Sequence, residues 1–258
     1  MKKLIVHRRL LIFTIPVVAL LTVLSLAAIQ KRARPSAPPD DRIIAAFKKS
    51  YAASVADAVD LVTGKRGFMS HDMRPFVAGK GMMVGRAVTS LVRPASPDQA
   101  TPALSTKHSV EMIDNAKPGE VGVIVMEGTL DVAAMGNLMG TAAVVRGMAG
   151  MVLDGAVRDV GDLRGMGLTV YARAAIPSTA VGRYATVARN IPVECAGVTV
   201  RPGDIIVANE DGVVVVPRER AEEVLKKAQE IDEREIKMYP FIKKYKSLQK
   251  AIEVFNRI

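Results

Sequence analysis

Residues 135–167 read MGNLMGTAAVVRGMAGMVLDGAVRDVGDLRGMG, and the order of glycines, apolar runs and charges in this stretch decides the fold class. A glycine-led loop opens a helix expected over 138–146. A strand follows at 150–153, and an Arg-Asp pair stands just past its end. Loop, helix and strand in that order are the repeating unit of an α/β domain. In open α/β sheets, ligands bind outside the carboxyl ends of the strands. The first-turn N–H groups of a helix have no intrahelical acceptor, so the backbone of Gly136, Asn137, Leu138 and Met139 suits an anion such as a carboxylate. Arg158 can grip a carboxylate with two parallel N–H donors. Asp159 beside it is a hard oxygen ligand for a cation. Each feature alone is common: a glycine loop before a helix is usually a turn, and an adjacent Arg-Asp is usually a solvated pair.

Outward from this stretch the same alternation continues. Residues 42–63 place Ile43, Ile44, Phe47, Ala52, Val55, Val59 and Leu61 at helical spacing, which predicts one helix stopped by Gly64. Strands are expected at 82–92, 121–126 and 168–172, with a short helix at 110–116 and a turn at Pro118-Gly119. Residues 198–217, VTVRPGDIIVANEDGVVVVP, read as a β-meander with turns at Pro202-Gly203 and Asp211-Gly212. From Arg218 a charged helical tail runs to the C-terminus, with a break expected at Pro240. It carries Tyr239, Phe241, Tyr245 and Phe255, which suit packing on a neighbouring subunit or on the tail's own domain.

The 258 residues are 49% hydrophobic and 24% charged, a globular composition, with aromatics at only 4%. The core is therefore expected to be Val, Ala, Leu, Ile and Met. The net charge of +10 is unevenly spread. The first 35 residues hold seven bases and no acid, and the remainder holds 29 bases against 26 acids. A nucleic-acid binder concentrates base and stacking aromatics on its folded domain, so no nucleic-acid partner is expected. Cys195 is the only cysteine, which rules out an intrachain disulfide and reads as a small buried hydrophobe. His7, His71 and His108 lack zinc-ligand spacing, so any metal should be a hard cation such as Mg2+ or Mn2+.

Residues 10–29, LLIFTIPVVALLTVLSLAAI, form an apolar run behind the basic start MKKLIVHRR. Twenty residues suffice to cross a bilayer as a helix, which favours a single membrane span. A cleaved export signal, with Ser25 and Ala27 as the small residues before the cut, is the alternative. A Pro-rich linker then leads to the folded part. The organisation expected is an anchor or signal with linker over 1–41, a domain over 42–220 and a helical tail over 221–258.

The runs GTAAVVRGMAGMVLDGAVRD and CAGVTVRPGDIIVANEDGVVVVP, with SVADAVDLVTGKRGFMSHDMRPFVAGKGMMVGRAVT upstream, resemble the RraA-like family across roughly residues 50–220. That family includes 4-hydroxy-4-methyl-2-oxoglutarate aldolases and oxaloacetate decarboxylases. The resemblance implies a three-layer ββα swivelling-type domain, assembled as homotrimers or homohexamers with sites between subunits. It implies that the backbone of residues 136–139 binds a 2-oxo acid carboxylate, that Arg158 contacts carboxylate and keto group, and that Asp159 holds Mg2+ or Mn2+, partly through water. The activity implied is a metal-dependent carbon–carbon lyase working through a pyruvate enolate.

One departure bears on the chemistry. Aldolases of the family carry an acid 21 positions before the arginine, and here that position is Asn137. An amide cannot serve as a base, though it can order water or cap a helix. Aldol cleavage needs a base for the 4-hydroxyl proton and decarboxylation does not, so decarboxylation is expected to survive better. Asp154 and Asp162 lie close enough in sequence to approach the metal, and Glu230, Glu233 or Glu235 of the tail could reach a neighbouring site. The rival reading is a non-catalytic protein-binding regulator of a ribonuclease, as the family's name implies. A quinone methyltransferase is set aside, because no strand, glycine loop and helix is followed by an acidic ribose ligand.

Overall fold

The computed structural model describes residues 39–79 and 81–256. The apolar run at 10–29, and with it the expected membrane span or signal, lies outside the described residues. Among those described, no helix is long and apolar enough to cross a membrane.

The helix expected over 42–63 is two, α1 (Pro39–Phe47) and α2 (Ala52–Thr63). At 3.6 residues per turn, Phe47 and Ala52 would point about 140° apart on one continuous helix. The break at residues 48–51 lets both become buried, while Leu61 is left exposed. Gly64 ends α2 in the left-handed conformation, as expected, at φ 66°.

The sheet is assembled from β1 (Arg74–Val77), β2 (Met83–Pro94), β3 (Val121–Met126), β4 (Ala133–Met135), β5 (Gly150–Val157), β6 (Val170–Ala175), β7 (Tyr184–Arg189), β10 (Ile205–Asn209) and β11 (Gly212–Val216). Its order is β1-β6-β5-β3-β2-β10-β11, with β4 added on β5 and β7 on β2. Strands β2, β3, β5 and β6 run parallel, linked by α3 (Pro102–Asp114), α4 (Asn137–Val145) and α5 (Val160–Met166). The short helix expected at 110–116 is thus only the end of α3. Thr101 caps that helix from its side chain, and Pro102 stands in its first turn.

The meander expected over 198–217 is not one. β9 (Val198–Val200) pairs with β8 (Val193–Cys195) in a separate ribbon, and only β10 and β11 form a hairpin. Beyond it, α6 (Ala221–Tyr245) runs through Pro240 without stopping. Proline forfeits one helix bond there, on an exposed stretch where water can take the freed carbonyl. The break falls instead at Lys246, and Ser247 caps α7 (Leu248–Phe255).

Period-two alternation on the strands sorts the core. Ile124 and Met126 of β3, with Met151 and Leu153 of β5, meet Met112, Ile113, Ala143 and Leu163 of the α3–α5 layer. Val121, Val123 and Val152 face the other way, toward Cys195, Val200, Ile206 and Val215. The outer faces of β10 and β11, through Ile205, Val207, Val214 and Val216, pack on Phe47, Val55, Val59, Val224 and Ala228. The α/β reading holds, with nine strands in one sheet rather than two stacked β layers, and with a second helical layer of α1, α2 and α6 on the outer face of β10 and β11. The first half of α6 therefore packs on its own domain. Farther along, Phe241 packs at a tilt on Tyr245 and edge-on against Phe255, while Ile236, Tyr239, Leu248 and Val254 remain exposed.

Candidate active site

Two strands deliver the site side by side. β4 lies parallel to β5, pairing Ala133 with Ala156 and Met135 with Val157. Each strand then turns directly into a helix, β4 through Gly136 into α4 and β5 through Arg158-Asp159 into α5. The Arg158 N–H donates to the Met135 carbonyl at 3.0 Å, which locks the two turns together. Residues 22 apart in sequence thereby become neighbours.

Asp159 holds the turn in the left-handed region, φ 56° and ψ 36°, as N-cap of α5. A non-glycine residue adopts that conformation at a cost of about 1–2 kcal/mol, and such strain gathers at functional positions. Its Oδ2 accepts the Asn137 backbone N–H at 2.9 Å and stands 3.6 Å from Arg158 Nε. Gly136 is the N-cap of α4. A Cβ on Gly136 would lie 2.5 Å from Asp159 Oδ2 and 2.8 Å from Arg158 Nε, so only glycine lets the two turns approach this closely.

Asn137 is therefore the first helical residue and not the cap. Its side-chain Nδ2 donates to Asp162 Oδ2 at 3.1 Å. Because the Asn137 N–H serves Asp159, the amide donors left open at the start of α4 are those of Leu138 and Met139. The Leu138 side chain is 81% exposed. Next to the pair, a shallow cleft of about 310 Å³ is lined by Val157, Arg158, Asp159, Val160, Ala175, Ile176 and Pro177. A roomier cavity near the start of α2, lined by Phe68, His71 and Arg74, contains none of these residues. The convergent donors and carboxylates, not the volume, mark the candidate site.

Asp154 and Glu230 are engaged elsewhere. Asp154 gives Oδ1 to Arg173 at 3.0 Å and Oδ2 to the Ala196 N–H at 2.6 Å. Arg173 also binds Asp72 at 2.7 Å. Burial alone would push Asp72 up, but hydrogen bonds from Ser70 and Arg173 outweigh it and hold the carboxyl below its ordinary value. Glu230 pairs with Lys227 on its own helix. Cys195 is fully buried, and that burial pushes its thiol well up, so it behaves as the buried hydrophobe expected from its isolation.

Among the described residues, no three His, Cys, Asp or Glu side chains converge as a ready-made ion cage. A hard cation resting on Asp159 would leave its other positions to water and to a chelating substrate, the way magnesium is commonly held. The residues present fit that mode. Asp159 is fixed through one oxygen, and the glycine opposite keeps its carboxylate uncovered. The lining contributed by Ala175, Ile176 and Pro177 carries no polar side chain, and nothing in the sequence pointed to it.

The RraA-like family profile, described as Aldolase/RraA, matches residues 52–215. A Halalkalibacterium halodurans protein named "Putative 4-hydroxy-4-methyl-2-oxoglutarate aldolase" is 38% identical over 117 residues, 44% of this chain and 53% of its own. A Deinococcus radiodurans protein of the same name is 40% identical over 104 residues, 40% of this chain and 64% of its own. The chain thus spans between about half and two thirds of the length of these curated relatives. Among solved structures, an uncharacterized protein from Pseudomonas syringae pv. tomato superposes with TM-score 0.74 at 26% identity, covering 84% of this chain and 95% of that one. Streptomyces coelicolor RraAS2, described as an unusual member of the RNase ES inhibitor RraA protein family, shares the fold. It superposes with TM-score 0.69 at 24% identity, over 81% of this chain and all of that one.

Proposed function

Starting from a chain that belongs to the RraA-like family, we propose a carbon–carbon lyase that acts on small 2-oxo acids with a divalent cation, Mg2+ or Mn2+, through a pyruvate enolate. The observation that carries this reading is the Arg158-Asp159 turn locked against Gly136 and Asn137. A solvated ion pair needs neither a left-handed aspartate nor a glycine that clears room for it.

The division of labour follows from donor types. The open N–H groups of Leu138 and Met139 receive the substrate carboxylate, assisted by the positive end of α4. The Arg158 guanidinium reaches the 2-oxo oxygen and balances the negative charge that develops there as the bond to C3 breaks. Asp159 would hold the cation, which supplies Lewis-acid polarisation of the 2-oxo group. The same enolate arises from decarboxylation of oxaloacetate or from aldol cleavage of 4-hydroxy-4-methyl-2-oxoglutarate. Decarboxylation is the faster of the two, because it asks for no base at position 137.

The site is open on one side. Leu138 and Val145, 81% and 80% exposed, lie two turns apart on the same helix that frames the site. A second copy of this chain is the occupant proposed for that apolar face, in a homotrimer or homohexamer, closing the cleft against water. A membrane tether through residues 10–29 belongs to the same proposal. A ribonuclease-binding regulator would have no use for the Arg158-Asp159 geometry.

The test is a screen of 2-oxo acids with Mg2+ on protein lacking residues 1–38, with Arg158→Ala as control. Oxaloacetate turnover is expected, falling about 100–1,000-fold in the variant, the loss typical of one charge-stabilising donor. Turnover unaffected by Arg158→Ala, or 4-hydroxy-4-methyl-2-oxoglutarate cleaved faster than oxaloacetate is decarboxylated, would contradict the mechanism. Absence of cation-dependent binding of pyruvate or oxalate in calorimetry would favour the regulator.

A further inference from the structure

Aldol cleavage of a 4-hydroxy-2-oxo acid needs an acceptor for the hydroxyl proton, and the Asn137 amide has none to offer. The side chain seated against that amide is Asp162, whose Oδ2 accepts from Asn137 Nδ2 at 3.1 Å. We propose that Asp162 is the general base for aldol cleavage, with Asn137 as the residue that positions it; the inference rests on the lyase reading above.

The geometry has three parts. Asp162 lies in the first turn of α5, three residues after the N-cap Asp159, and both carboxylates reach the same residue, Asn137. Asn137 bridges them, giving its backbone N–H to Asp159 Oδ2 at 2.9 Å and its side-chain N–H to Asp162 Oδ2. Asp162 is exposed, and its Oδ1 has no protein partner among the described residues. The amide thus fixes one oxygen of Asp162 and leaves the other facing solvent beside the Arg158-Asp159 turn. Asp154, the other acid of this stretch, has both oxygens occupied by Arg173 and Ala196.

The step balances without a co-reactant. Asp162 Oδ1 takes the 4-hydroxyl proton, and the electron pair of that O–H bond becomes the new C=O as C3–C4 breaks. The C3–C4 pair moves into C2–C3, and the negative charge arrives on the 2-oxo oxygen facing Arg158. The proton then passes from Asp162 to C3 and leaves two 2-oxo acids. Oxaloacetate carries no such hydroxyl, so its decarboxylation does not call on this group.

The experiment compares 4-hydroxy-4-methyl-2-oxoglutarate cleavage with oxaloacetate decarboxylation in the full chain, in Asp162→Asn, and in the exchanged pair Asn137→Asp with Asp162→Asn. The exchanged pair keeps the hydrogen bond with donor and acceptor swapped. The ratio of cleavage to decarboxylation is expected to fall about 100-fold or more in Asp162→Asn, the usual scale for a lost base, and to recover at least about tenfold in the exchanged pair. Mg2+ affinity in the presence of pyruvate, read by calorimetry, should change less than about threefold, because Asp162 is not assigned to the cation. An unchanged ratio, no recovery in the exchanged pair, or a Mg2+ affinity weakened about tenfold would each overturn the proposal. Unsubstituted protein that decarboxylates but does not cleave overturns this inference and leaves the lyase standing. Protein that does neither overturns both.

Discussion

Replacing Gly136 with alanine tests the site where its geometry is tightest. The backbone there is open to any residue, with φ −139° and ψ −163°, so alanine brings no conformational strain. What it brings is a methyl group 2.5 Å from Asp159 Oδ2, 2.8 Å from Arg158 Nε and 3.0 Å from Arg158 Cγ. Ordinary contact begins near 3.4 Å, so the Asp159 carboxylate must retreat by roughly 0.9 Å. That retreat breaks its 2.9 Å bond to the Asn137 N–H. A hydrogen bond to a charged group contributes about 1.5–3 kcal/mol, and a displacement near 1 Å at a reacting centre costs on the order of 100-fold in rate. The expected outcome is a loss of about 100-fold in kcat/KM for oxaloacetate, with Mg2+ binding in the presence of oxalate weakened alongside it. Folding should suffer more modestly. Alanine is a poorer helix N-cap than glycine, and with the partly solvent-screened Asp159 bond also lost the cost is about 2–3 kcal/mol, or roughly 4–12 °C in Tm for a domain of this size. Steady-state kinetics, calorimetry and a thermal melt on the same preparation separate the two effects. A variant that turns over oxaloacetate within about threefold of the unsubstituted protein would refute the argument that the two turns form one site.

Two further outcomes can be checked with the same protein. Leu138→Glu combined with Val145→Glu should convert a multimer to monomers in light scattering while leaving the melting temperature of the isolated domain nearly unchanged, because both side chains are exposed in the single chain. Tyr171 is buried and donates to the Asn209 carbonyl at 2.8 Å, and burial, aided by Glu210 and Asp211, pushes its phenol up to about 12. Its neutral form is favoured in the fold, so this contribution to stability is complete below pH 10 and is lost as pH climbs toward 12. Denaturant midpoints between pH 9 and 12 should fall for the native protein and more shallowly for Tyr171→Phe, and an equal fall in both would remove Tyr171 as the cause.

How much of this could be read in advance differs from element to element. The strand at 121–126 and the helix that starts beside Gly136 were legible because local pattern and burial agree there. The single helix over 42–63 and the break at Pro240 were misread for opposite reasons. In the first, a helical period hides a face that precesses out of register until the chain breaks. In the second, a proline that forbids one hydrogen bond does not forbid a helix when water can replace the lost partner. The meander over 198–217 failed because strand pairing is not local. β9 has a nearer partner in β8, and β10 finds its own in β2, more than a hundred residues away.

The same division runs through the site. Residue types and order alone determined that a glycine-led loop would open a helix, that an Arg-Asp pair would stand past the end of the next strand, and that a single cysteine leaves no intrachain disulfide. Only the tertiary structure decided that β4 lies parallel against β5, which carries residues 136–137 to 158–159 and makes the glycine obligatory. It also removed Asp154 from contention and set Asp162 against Asn137. Spacing along a chain fixes which side chains share one helix or strand. Whether the ends of two strands meet depends on hydrogen-bond pairing between segments that no local pattern connects.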